Sequence, residues 1–129
     1  MYLVLAASLA GIPCFAQHMN DKDAPCREAV ATMEMATCFD SALKESDARL
    51  NQLYRRVQTV VGGDKLAKLK DAQRIWTKFR DANCDAEYEL YRGGSAAPTV
   101  KLACLEAMTR HRTEELKVMY GWRLEKWGK

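Results

Sequence analysis

The sequence predicts an all-α fold, an antiparallel up-down-up three-helix bundle with two disulfides. Three observations carry that expectation. Apolar residues recur at three- and four-residue steps along three segments, glycine-containing breaks at Gly62-Gly63 and Gly93-Gly94-Ser95 separate them, and four cysteines follow an apolar N-terminal stretch. With 129 residues, 48% hydrophobic and 29% charged, the chain is sized for one folded domain with a modest core.

Residues 1–16 read as a signal peptide. From Tyr2 to Ile12 the side chains are apolar or small, and the first charge is Asp21. Cys14-Phe15-Ala16 sets small residues at the two positions a signal peptidase reads, with cleavage before Gln17. The apolar run is too short for a transmembrane segment, and Pro13 fits a lipidation site at Cys14 badly. The expected location is therefore periplasmic or secreted. Removing this segment leaves Cys26, Cys38, Cys84 and Cys104, an even set that reads as a disulfide framework in a small exported chain. A zinc site would want close C-x-x-C pairs, which are missing, and His18 and His111 stand far apart. No cofactor or metal is expected.

Residues 17–30, with Asn20, Asp21, Asp23 and Pro25, form an irregular lead-in to a helical domain over 31–122. The first helix should run from Ala31 to about Val61. Its stripe is Ala36, Phe39, Leu43, Leu50, Leu53, Val57 and Val60, with Ser46 filling the one gap. Gly62-Gly63 should end it at a left-handed C-cap, and Asp64 is placed to N-cap the next helix. The second helix, Lys65 to Tyr91, should turn Leu66, Leu69, Trp76, Phe79 and Leu90 inward. The third opens at Pro98 or Thr99, carries Val100, Leu105, Met108, Leu116 and Met119, and continues to about Trp122. A basic tail, 123–129, follows. Trp122 and Trp127 could anchor a protein or lipid interface there, or could cover the end of the bundle.

Each helical residue rises about 1.5 Å, so counting from the turns estimates height in the bundle. Cys84 and Cys104 come out level across the second hairpin, and Cys26 with Cys38 follows by elimination if the lead-in folds back. The pairings 26–84 with 38–104, and 26–104 with 38–84, remain open at this stage. Each closed loop contributes about 3 kcal/mol by the chain-entropy estimate. Polar residues also fall on or beside the inward stripes: Asp47, Asn51, Gln73, Arg80, Thr109 and Arg112. The same count sets Asp47 level with Arg80 and near Arg112. This predicts an ion pair that acts as a structural clamp on helix register, with single replacements costing about 3 kcal/mol.

Several function classes are disfavoured. Net charge is +3, and by segment it drifts from −2 over 1–64 to +2 over 65–92 and +3 over 93–129, too mildly for a nucleic-acid partner. There is no Gly-rich phosphate loop, no H-E-x-x-H and no nucleophile-elbow serine, so no catalytic residue is assigned. The Gly93-Gly94-Ser95 loop is the candidate partner-binding loop, since it could present backbone N–H groups.

The ordered motifs Glu34-Met35 with Cys38, Asp47 with Leu50-Asn51, and Ala72-Gln73-Arg74 with Trp76 resemble the LprI-like family of exported bacterial proteins. So do Arg80-Asp81 with Cys84, Gly93-Gly94-Ser95, Cys104, and Thr109 with Arg112 and Leu116. The resemblance spans about residues 26–120 and includes all four cysteines. Members are mostly of unknown function, and the family takes its name from a lysozyme-inhibiting lipoprotein. It implies a non-enzymatic envelope protein that binds another protein, with a cell-wall hydrolase of the lysozyme (muramidase) type as candidate partner. The alternative is a structural or stress-related envelope module that binds cell-wall polymer or another envelope protein. A partner for cationic lysozyme should present an acidic surface, whereas this chain is slightly basic overall.

Overall fold

A computed structural model describes residues 18–129; the expected signal segment, with Cys14, lies outside the described residues. A single 3-10 turn, His18–Asn20, precedes three helices: α1 (Thr32–Val60), α2 (Asp64–Glu89) and α3 (Ala97–Trp127). Among the described residues the protein is all helical, running up, down and up, with disulfides Cys26–Cys38 and Cys84–Cys104 at Cα–Cα distances of 5.8 and 5.6 Å. Cys26 adopts a positive φ of 69°, and there the lead-in reverses onto the first turns of α1.

The stripe expected on α1 is the one buried. Phe39, Ser46, Leu50, Leu53 and Val57 are enclosed, and they pack against the length of α3. α3 is the central element, with Val100, Ala103, Cys104, Ala107 and Leu116 almost fully enclosed. The largest apolar cluster joins Leu50, Leu53, Val57, Val61, Leu69 and Leu116. Glu34 Oε2 accepts the Val30 N–H at the start of α1, and Pro98 occupies the first turn of α3, where a missing N–H costs nothing.

α2 departs from the sequence expectation. It packs on α3 alone and makes almost no packing contact with α1. Only Leu69 and Cys84 of its 26 residues are fully buried. Its inner line is Leu69, Gln73, Trp76, Arg80, Cys84 and Glu87, stepping by four and three, and half of it is polar. Phe79 and Leu90, expected inside, are 60% and 80% exposed. Leu69 and Trp76, with Gln73 and Arg80 between and beyond them, lie on the inner line as expected; Phe79 and Leu90 fall on the apolar flank beside it. Met119 on α3 is likewise exposed, on the outward side of a helix whose Leu116, Tyr120 and Leu124 face the core.

The ends differ in detail. α1 stops at an extended Val61, the positive φ falls on Gly63, and Asp64 is the first residue of α2 rather than a side-chain cap. A carboxylate in that first turn still complements the helix dipole. α3 continues five residues past the expected Trp122, so the basic tail is helical through Trp127. Arg123 explains part of this: its Nη1 donates to the Val60 carbonyl at 3.3 Å, tying the last turns of α3 to the C-terminus of α1.

Candidate functional site

The polar residues singled out on the inner faces come together in part. Arg80 spans the gap between α2 and α1, with Nη1 3.4 Å from Asp47 Oδ1 and donating to Thr109 Oγ1 at 3.1 Å. Its other side holds Asp81 at 2.9 Å. Arg112 Nε donates to Gln73 Oε1 at 3.1 Å, and its Nη1 pairs with Glu115 at 2.9 Å. Both guanidinium groups lie against the Trp76 ring, at 5.4 and 5.6 Å from its centroid. Asn51 is exposed and outside this cluster. Every cation here is matched by a carboxylate or amide, as a clamp requires.

The clamp is asymmetric, which revises the expected energetics. Arg80 is 16% exposed, whereas Asp47 is 45% exposed and keeps water within reach. Arg80→Leu is therefore expected to cost about 2 kcal/mol and Asp47→Leu less than about 1 kcal/mol. A double-mutant cycle in urea measures the pair; a coupling near 3 kcal/mol would contradict this solvent-reaching geometry.

A second network, between α1 and α3, escaped sequence reasoning. Glu106 is 2% exposed, and its Oε1 accepts from Ser46 Oγ at 2.9 Å and from Arg110 Nε at 3.1 Å. Arg49 Nη2 donates in turn to Ser46 Oγ at 3.1 Å. The signal was present: Ser46 is the one polar residue in the α1 stripe, and a buried hydroxyl needs a partner.

The buried carboxylate of Glu106 is engaged by a serine and an arginine, and the His111 ring lies 3.5 Å from the Nη1 of that arginine. One ligand-like grouping exists among the described residues, His18, Glu87 and Cys104, with ligand atoms within 4.8 Å. Cys104 is bonded to Cys84, so no thiolate is offered and two ligands remain, short of a closed metal site. Their geometric role is to hold the lead-in on the bundle, His18 Nε2 lying 3.5 Å from Glu87 Oε2.

What the fold leaves uncovered is the outward face of α2. Ile75, Phe79, Ala82, Ala86 and Leu90 form an exposed line at steps of four and three, flanked by Asp81, Asp85 and Glu89. Leu90 leads directly into Gly93, Gly94 and Ser95, all exposed, with Gly93 at φ 88°. Asp85 also tethers α3 by a 2.5 Å contact with Lys101, and this hydrogen bond holds the Lys101 ammonium above the ordinary lysine pKa. The tether is complete below the ordinary lysine value and is lost as pH rises through the raised one.

Charge is sorted end to end. Residues 18–45 and 81–105, at the end holding both disulfides and the Gly93–Ser95 loop, carry five basic and ten acidic residues, a net −5. Residues 54–70 and 117–129, at the opposite end, carry nine basic residues against Asp64 and Glu125, a net +7.

No solved structure matches the chain. An uncharacterized protein of Rhizobium meliloti (strain 1021) is 38% identical over 105 residues, covering 71% of this chain and 76% of the relative. A family profile described as lysozyme inhibitor LprI matches residues 24–116, from the lead-in to Leu116. This helical, disulfide-bonded chain belongs to the lysozyme inhibitor LprI family.

Proposed function

We propose that this protein is an exported, non-enzymatic inhibitor of a lysozyme-type muramidase, and that it docks through the outward line of α2 and the adjoining Gly93–Ser95 loop. The observation that carries the reading is an inside-out helix. α2 turns polar Gln73, Arg80 and Glu87 inward and leaves Ile75, Phe79 and Leu90 in water, an arrangement suited to an apolar anchor for another protein. Asp81, Asp85 and Glu89 beside this line are paired with Arg80, Lys101 and Arg92, and it is the net charge of −5 at this end that complements a cationic enzyme. Export is supported by the disulfides, which persist in oxidising compartments, and among the described residues no helix is long and apolar enough to cross a membrane.

The test is a bacterial-lysis assay with a panel of lysozymes titrated with the disulfide-bonded protein. Inhibition is expected for at least one, weakened at least about tenfold by Ile75→Lys/Phe79→Lys with thermal unfolding little changed, because both side chains are already exposed. Unchanged lysis at large molar excess across the panel would end the inhibitor reading. Full inhibition by the double variant would move the docking face elsewhere.

A further inference from the structure

We propose that the end of the bundle opposite the acidic loop is a docking surface for an anionic phospholipid leaflet. Three observations converge on this end. The first is charge: Arg55, Arg56, Lys65, Lys68, Lys70, Arg123, Lys126 and Lys129 stand against only Asp64 and Glu125, and Lys117 pairs with Glu114 at the edge of the patch. Folding assembles this patch from the C-terminus of α1, the first turns of α2 and the last turns of α3.

The second is aromatic. Trp122 and Trp127 lie edge to face with ring centroids 5.3 Å apart, and both remain about half exposed. The Arg123 guanidinium lies 4.9 and 5.1 Å from their centroids, and Lys126 Nζ lies 4.9 Å from that of Trp127. If the rings served only to cover the bundle they would be enclosed; here they stay in water among cations. Tryptophan with one apolar face and one wet edge settles at the headgroup level of a bilayer, beside lysine and arginine that reach phosphates.

The third is apolar surface. Val118 and Met119 are also exposed on the last turns of α3. Between α2 and α3 a cleft of about 430 Å³ has an apolar floor of Val61, Leu69 and Tyr120 and is rimmed by Lys65, Lys68 and Arg123. A soluble polyanion would use the cations alone. A lipid surface uses the cations and the exposed rings together, and only the lipid accounts for both. Each cation near an anionic leaflet adds about tenfold or less in affinity. Several such cations with two shallow aromatic anchors give a reversible, salt-sensitive attachment that points the acidic end, with the Gly93–Ser95 loop, away from the membrane.

The experiment is co-sedimentation of the wild-type protein with phosphatidylcholine vesicles, with and without phosphatidylglycerol, joined to tryptophan quenching by brominated lipid. Binding is expected only with phosphatidylglycerol, with quenching of Trp122 and Trp127, and with loss of binding as salt rises. Lys65→Gln/Lys68→Gln/Lys126→Gln, all at exposed positions, should weaken binding at least about tenfold. Trp122→Ser/Trp127→Ser should abolish the quenching while leaving the circular dichroism of the bundle in place. Equal binding to both vesicle types, no binding, or retention on heparin with no lipid quenching would each overturn the proposal; the last result would assign the surface to soluble polyanions. None of these outcomes bears on muramidase inhibition, which is read separately in the lysis assay.

Discussion

Glu106→Leu is expected to lower the unfolding free energy by about 3–5 kcal/mol, a large share of the stability of a domain this size. Glu106 lies at the tightest interface in the molecule, where α1 and α3 pack along their length, and almost none of its surface reaches water. Its removal leaves the buried Ser46 Oγ without its acceptor and Arg110, 22% exposed, without its carboxylate. Glu106→Gln keeps an acceptor for Ser46 and should cost less, about 2 kcal/mol, and Ser46→Ala about 1 kcal/mol. The compensated variant Glu106→Leu/Arg110→Met should recover much of the loss, because it removes the stranded charge together with its partner. Urea unfolding of the four variants measures this series. A Glu106→Leu effect within about 0.5 kcal/mol would mean that the carboxylate is solvated and the network only decorative.

That network marks the limit of what helical periodicity reveals. On α1 the pattern and the structure agree because one face meets α3 everywhere, so burial repeats every three or four residues as the sequence does. On α2 the same reasoning places Leu69 and Trp76 correctly and Phe79 and Leu90 wrongly. Phe79 lies three residues from the correctly placed Trp76 on an apolar-rich flank, yet the polar contacts with α3 run through Gln73 and Arg80, and the covalent one through Cys84. Periodicity finds apolar faces and cannot tell one that meets the core from one left exposed. The height count did better, since it depends only on helical rise and short turns. It brought Cys84 to Cys104 and Asp47 to Arg80, and both meet. It could not report that Asp47 stays half in water, because that depends on the gap between α1 and α2.

Charge shows the same limit from another direction. Counted along the chain, it drifts mildly from −2 to +3, because each antiparallel helix carries residues from both ends of the bundle into one segment. Counted by height, the same residues separate into an end of −5, an opposite end of +7 and a middle of +1. The acidic surface that a cationic partner requires is therefore present in a chain whose net charge is basic.

Removing the Cys84–Cys104 disulfide should have the second large effect, and its pattern should differ from that of Glu106. The bridge closes a separation of 20 residues and contributes about 3 kcal/mol by restricting the unfolded chain. It also joins α2 to α3 at the lower half of a helix with only one other fully buried residue, Leu69, near its far end. Cys84→Ala/Cys104→Ala should therefore lose about 3 kcal/mol overall, and amides in the second half of α2 should exchange with solvent well before those of α1 and α3. Cys26→Ala/Cys38→Ala serves as the contrast, since that bridge ties the lead-in to the first turns of α1 and its loss should loosen residues 18–31 while α2 stays protected. Hydrogen exchange read by mass spectrometry distinguishes the two. Uniform loss of protection across all three helices in the first variant would show that α2 is an integral part of the core and not a separately held outer helix. Selective loss would explain why a helix with so little core contact needs a covalent tether. It would also predict that reduction of this bridge, by releasing the Ile75–Leu90 line from its rigid support, weakens docking even where α1 and α3 remain folded.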